Sequence, residues 1–286
     1  MKKLFVVILS LAIPLSGCEG KKQRQAPEAK KEHPAAEKTA APAKPAEPID
    51  RQAFNAAAVR LDLPLFWKAD TNGNGRPDPD EIVGLMFYDS KVRWTEGGRF
   101  TVQFEDALQS ILTDLKNPLL PPEPAERRRV ELVRRDLDQG RPTLVYSDLS
   151  TLSPQEKKFF AIMVEVAGLI DELYARQLGI DVLRPRLAKA DPASRRLFAR
   201  NWGPDCKGPE TEKNPECTAI AGVRHPPVGI YPAELQKDEG FCRKLGARPD
   251  SKQLMAPFVA VRKKEGKLVA VPFNKAWPDL SGMVAR

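Results

Sequence analysis

One run constrains this chain more than any other. From Asp70 to Glu81 it reads D-T-N-G-N-G-R-P-D-P-D-E, a stretch crowded with side-chain oxygens, glycines and prolines. It interrupts two segments, Leu65-Phe66-Trp67-Lys68-Ala69 before it and Ile82-Val83-Gly84-Leu85-Met86-Phe87 after it. The flanks can enter a core and the run cannot. Any fold must therefore bury both flanks while holding a polar loop at the surface between them. Such a loop either solvates as an ordinary Asn-Gly turn or closes around a positive charge.

The spacing of the oxygens favours the second reading. Asp70, Asn72, Asn74, Arg76, Asp78 and Glu81 fall at positions 1, 3, 5, 7, 9 and 12 of the run, with Gly75 at position 6. Calcium takes six to eight oxygens at about 2.3–2.6 Å, and a short segment supplies them only by wrapping tightly. Gly75 suits the sharp turn because it tolerates positive φ. On these residues the run resembles the calcium loop of the EF-hand family. The resemblance implies a helix-loop-helix, with side-chain oxygens from Asp70, Asn72, Asn74 and Asp78, the Arg76 carbonyl, and Glu81 as a bidentate ligand. It predicts an incoming helix started by Pro64 and ending near Phe66. It also predicts an outgoing helix placing Ile82, Leu85 and Met86 on one face. Pro77 departs from the pattern, because it lacks the amide that pairs with a partner loop. No second loop is present. The expectation is one unpaired site, of few charges and hence weak affinity, about 10⁻⁴–10⁻³ M, that stabilises and does not signal.

The start of the chain addresses its compartment. Lys2 and Lys3 precede an apolar run, Leu4 to Leu15, that is shorter than the roughly 20 residues of a membrane span. It ends in Leu15-Ser16-Gly17-Cys18, which resembles the lipobox of bacterial lipoproteins. The resemblance implies a signal peptide over 1–17, acylated Cys18 as the mature N-terminus, and the lipid bilayer as a partner. Residues 18–50, rich in Ala, Pro, Lys and Glu, have no apolar periodicity and read as a disordered tether. Extended, it spans on the order of 100 Å. Glu19 beside the anchor favours the outer membrane, facing the periplasm.

Charge and cysteines narrow the function classes. The formal charge is +8, and removal of Lys2 and Lys3 with the signal leaves +8 − 2 = +6. Basic residues are interleaved with acids, as in Arg127-Arg128-Arg129-Val130-Glu131, without a basic-aromatic groove. That favours a solvated surface over a nucleic-acid footprint. Beyond Cys18, Cys206, Cys217 and Cys242 allow one bridge and one leftover in an oxidising compartment, and spacing does not choose the pair. Cys206 with Cys217 is the simplest, closing a Pro-bearing loop.

The folded part divides into 51–147, a helical region containing the polar loop, and 148–286, helical with a β-hairpin. Phe104, Leu108, Ile111, Leu112 and Leu115 share a helical face, and Pro118–Pro124 breaks it. Val130, Val133 and Leu137 mark a second helix, ended by Gly140-Arg141-Pro142. Ser153, Pro154 and Glu156 form a capping box that starts a third, which Gly179 stops. Its stripe Phe160, Met163, Ala167, Ile170 and Tyr174 is expected to be buried. Asp191 caps a helix over 192–200, and another is expected from Pro232 to Leu245. Phe258–Arg262 and Lys267–Val271 flank a Gly-bearing turn, which predicts a hairpin. The fold class is mainly α with a small antiparallel β element.

Four stretches carry a second resemblance. They are Ile170–Gln177, Arg200–Pro204, Gly229–Leu235 and Val271–Trp277. In this order and spacing, residues 148–278 resemble the N-terminal part of dipeptidyl peptidase III-like zinc metallopeptidases. That family's zinc motif, His-Glu-x-x-Gly-His, is absent, and the two histidines, His33 and His225, lie far apart. No catalytic residue carries over. The expectation is a lipid-anchored envelope protein binding one structural calcium, without catalysis. The alternative is a truncated or inactive relative of those peptidases.

Overall fold

A computed structural model describes residues 47–85 and 92–286. The signal segment, Cys18, His33 and the tether up to residue 46 lie outside the described residues, as does Met86. The fold is helix-rich with three separate two-stranded antiparallel sheets, as expected for the class.

Three hydrophobic clusters organise it. The first gathers α1 (Arg51–Arg60), β1 (Leu65–Trp67), β2 (Ile82–Gly84) and α2 (Val102–Lys116) around Phe54, Trp67, Phe104 and Ile111. A short ribbon, β3 (Thr95–Glu96) with β4 (Arg99–Phe100), leads into α2. Thr101 starts α2 by accepting the Phe104 amide. The second cluster joins α3 (Pro124–Asp138), the end of α4 (Pro154–Leu178) and α6 (Pro192–Asn201), which follows the single-turn α5 (Arg184–Leu187). The third packs α7 (Phe241–Gly246) and α8 (Ser251–Leu254) under the hairpin of β5 (Val259–Lys264) and β6 (Lys267–Pro272). Two short helices, α9 (Phe273–Ala276) and α10 (Ser281–Ala285), finish the chain.

The helix signals read from sequence lie where their chemistry put them. Ser153 and Glu156 form a reciprocal capping box, Gly179 ends α4 in the left-handed conformation, and Asp191 caps α6. The expected hairpin pairs Val259 with Pro272 through Lys264 with Lys267. Cys206 and Cys217 form the disulfide, which leaves Cys242 as an exposed thiol.

Three expectations are corrected. The segments flanking the polar run are strands: Leu65 pairs with Gly84, Phe66 with Val83 and Trp67 with Ile82. No helix-loop-helix forms there. An apolar run this short fits either periodicity, and here aromatic and β-branched side chains settle into a ribbon on α1. The α4 stripe is not buried: Met163, Ile170 and Tyr174 are exposed, and Ala175 alone in that helix is buried. Periodicity shows that a helix has an apolar face, but it does not supply a neighbour to cover it. The helix expected over 232–245 is divided, with a 3-10 turn at Leu235–Lys237 and α7 beginning only at Phe241. Gly240 interrupts the pattern there and offers no side-chain cap.

Candidate metal-binding loop

Strands β1 and β2 carry the polar run as the loop of a hairpin, and Lys68 N–H continues the ladder by donating to the Glu81 carbonyl at 3.0 Å. Behind the hairpin, Asn55 of α1 acts as a surrogate strand. Its amide nitrogen donates to the Trp67 carbonyl at 3.0 Å, and its oxygen accepts the Trp67 N–H at 2.8 Å. The edge of β1 therefore has its hydrogen bonds without a third strand.

Within the loop, four of the six expected ligand residues are gathered. Asp70 Oδ1 accepts the Asn74 amide at 3.1 Å, and Oδ2 accepts the Gly75 amide at 3.1 Å. Asn72 Oδ1 shares the Asn74 amide at 3.0 Å, and Asn74 Oδ1 accepts the Arg76 amide at 2.7 Å. The side-chain nitrogens of Asn72 and Asn74 both reach Asp78 Oδ2, at 2.7 and 3.1 Å. Gly75 has a φ of 67°, as the sixth position requires. A Cβ there would also lie 2.6 Å from Pro48 Cβ. The chain leaving the tether runs directly over the loop, with Ile49 N–H donating to the Gly75 carbonyl at 2.7 Å.

Glu81 stands apart from this arrangement. It is fully buried, and four donors take up its two oxygens. Oε1 accepts the Thr71 amide at 2.5 Å and the Thr71 hydroxyl at 2.6 Å. Oε2 accepts the Trp67 indole N–H at 3.0 Å and the Asp78 amide at 3.2 Å. A carboxylate has about four lone-pair sites, and all are occupied. Burial pushes the Glu81 carboxyl up, but the Thr71, Trp67 and Asp78 donors outweigh it and hold it below the ordinary glutamate value. The carboxylates of Asp70, Asp78 and Glu81 do not all lie within 4.8 Å of one another. Ligands of one calcium lie within roughly 5 Å of each other, twice the metal–oxygen distance. The loop as folded presents Asp70, Asn72, Asn74 and Asp78 as one hydrogen-bonded group, while the Glu81 oxygens are taken up by Thr71, Trp67 and the Asp78 amide. Sequence reasoning missed Thr71 and Trp67 as the holders of Glu81. Position 2 of the loop and the preceding strand carry no ligand in the EF-hand pattern, so nothing drew attention to them.

Among the described residues, one cluster of three metal-competent side chains is present, Asp136 with Cys206 and Cys217. It does not fit a metal, because both sulfurs are spent in the disulfide. Asp136 instead holds the disulfide loop: it pairs with Arg200 and accepts the Lys207 and Gly208 amides at 3.0 and 2.7 Å.

The four stretches quoted for the peptidase resemblance meet at the end of α4. Gly229 N–H donates to the Gln177 carbonyl at 2.6 Å, and Tyr174 and Trp202 stack edge to face. Arg262 lies over the Trp277 ring, and Val261 N–H donates to the Ile230 carbonyl at 2.8 Å. This junction joins the second and third clusters through aromatic and backbone contacts. His225 Nδ1 sits 2.7 Å from the Pro226 carbonyl, its own neighbour in the chain. No family model, no curated protein and no solved structure matches the chain.

Proposed function

We propose that this chain is a lipid-anchored envelope protein whose loop 70–81 binds one calcium ion as a structural element. The observation that supports the reading is that Asp70, Asn72, Asn74 and Asp78, which stand at the ligand positions of the sequence pattern, are joined by hydrogen bonds in one loop on a hairpin rooted in the first core. Asp70, Asn72, Asn74, the Arg76 carbonyl and Asp78 would hold the ion, which supplies a hard positive centre for side-chain oxygens that now accept from the Asn74, Gly75 and Arg76 amides and from the Asn72 and Asn74 side-chain nitrogens. Glu81 keeps the loop closed from the protein side through Thr71, Trp67 and Asp78. Acylation of Cys18 would fix the protein to the bilayer. Pro48 and Ile49, which contact Gly75, then make the loop the point where the tether meets the folded body.

Thermal melting under calcium tests the reading. Addition of millimolar calcium is expected to raise the melting temperature, by mass action on the folded state alone. Asp70→Ala and Asp78→Ala each remove that rise, whereas magnesium reproduces little of it. An unchanged melting curve in millimolar calcium overturns the proposal.

A further inference from the structure

Helix α1 packs against α2, α3 and α6. Where these helices meet, a cleft of about 310 Å³ is walled by the end of α1, by α2, by α3 and by the first turn of α6. Small molecules bind in clefts of about 300–1,000 Å³ that are mostly apolar and carry a few placed polar groups. The walls here follow that description. Leu61, Val130, Pro192 and Ala193 supply apolar surface. Leu119, in the connection between α2 and α3, lines the cleft while 85% exposed, which puts it at the mouth.

One polar group in the wall keeps bonding capacity. Arg60 Nε and Nη2 donate to Asp114 Oδ2 at 3.0 and 2.8 Å, and its Nη1 donates to Asp138 at 2.6 Å. Arg134 donates from Nη1 alone, to Asp114 Oδ1 at 2.7 Å. Its Nε and Nη2 have no partner among the described residues, although the side chain is only 15% exposed. No buried side-chain nitrogen or oxygen of the described residues lacks a partner, so this edge opens to accessible space. Because Arg134 lines the cleft, its Nε–Nη2 edge is the donor pair the cleft offers. Charge along the seam alternates from Asp138 through Arg60 and Asp114 to Arg134, and it ends on that cation. The other carboxylate of the wall, Asp191, is engaged by Arg129 at 3.0 Å and by the Ser194 hydroxyl at 2.6 Å.

We propose that this cleft binds a small monocarboxylate with an apolar chain. The planar carboxylate takes both N–H groups of the open Arg134 edge, the geometry for which a guanidinium is shaped. The chain lies along Leu61, Val130 and Pro192, under Leu119. A dianion fits less well, because its second charge meets Asp114 and Asp191 in the same wall. An apolar cation fits worst, because the donors of Arg134 repel it.

Calorimetric titration of the full-length chain tests this, with Cys18→Ala in every arm so that no acyl chain of its own competes. Octanoate is expected to bind at one site per chain. Octanol and octylammonium, of the same chain length, bind about tenfold or more weaker, having no carboxylate for the charged donors. Acetate, with no chain to bury, gives no saturable heat. Arg134→Gln lowers octanoate affinity by about tenfold or more and leaves octanol unchanged. Ser110 lines the cleft from an exposed position on α2, where its hydroxyl donates to the Asp106 carbonyl at 2.9 Å. Ser110→Phe therefore fills the cleft from outside the core, and it abolishes octanoate binding at an unchanged melting temperature. Should Arg134→Gln fail to fold, Ser110→Phe and the ligand series decide. The proposal is overturned if octanoate shows no saturable binding at millimolar concentration, or if octanol or octylammonium binds as tightly. Octanoate binding that survives Ser110→Phe, or a folded Arg134→Gln, overturns it as well.

Discussion

At the scale of single residues, the oxygens of loop 70–81 divide into two classes that the sequence pattern treats alike. Glu81 is buried with four donors aimed at it, and the remaining groups answer one another near the surface. The consequence is a stability role for Glu81 that needs no ion. Glu81→Gln replaces one acceptor by an amide nitrogen that faces N–H or O–H donors. Leaving buried donors unsatisfied costs about 1–3 kcal/mol each, so a loss of about 2–4 kcal/mol is expected in denaturant titrations, with or without calcium. The pH dependence follows from the direction of the shift. The folded carboxyl lies below the ordinary value and the unfolded one near about 4.3, so its contribution is complete above the unfolded value. It is lost as pH falls from there through the lower folded value. Wild type should therefore lose stability over that acidic interval, and Glu81→Gln should show a flatter curve across it. Parallel acid curves for the two proteins would count against that role.

At the scale of elements, what could be read in advance depended on whether the signal was local. Caps are local chemistry, so Ser153, Glu156, Gly179 and Asp191 declared the ends of α4 and the start of α6. The β5–β6 hairpin was equally legible, because alternating residues flank a glycine turn. The ribbon around the polar loop was not legible. Three residues of strand leave too little period to separate from a helix, and the Asn55 side chain that completes β1 is remote in sequence. Burial of α4 was misread for a related reason: a stripe is a property of the helix, and its cover is a property of the rest of the assembly. The candidate ligands themselves were legible from spacing, while the separate holding of Glu81 depends on a tertiary indole and a hydroxyl outside the ligand pattern. The disulfide gives a prediction at this scale. It closes a loop whose cysteines are 11 positions apart, a length for which chain entropy suggests about 3 kcal/mol. Cys206→Ala with Cys217→Ala should lower the urea midpoint accordingly. The loop should keep its shape, because Asp136 binds its backbone at Lys207 and Gly208 independently of the sulfurs.

At the scale of the whole molecule, the first two clusters are bound by charge as well as by packing. Asp114 on α2 is nearly inaccessible and lies between Arg60 of α1 at 2.8 Å and Arg134 of α3 at 2.7 Å. Arg60 reaches on to Asp138 at the end of α3 at 2.6 Å. This network crosses the seam between the helices of the first core and those of the second. Buried ions return little net stability when complete, yet removing one member strands the others. Asp114→Ala should therefore cost about 3–5 kcal/mol, since two guanidiniums lose their shared anion in a largely desolvated seam. Replacing the set together, Arg60→Met, Asp114→Leu and Arg134→Met, should recover most of that loss, because desolvation of all three charges is removed with their attraction. Denaturant midpoints of the two variants decide the matter. If the triple variant is as unstable as Asp114→Ala, the seam relies on the ion pairs for net stability. If it recovers, the charges fix how α1, α2 and α3 meet, and apolar packing supplies the strength.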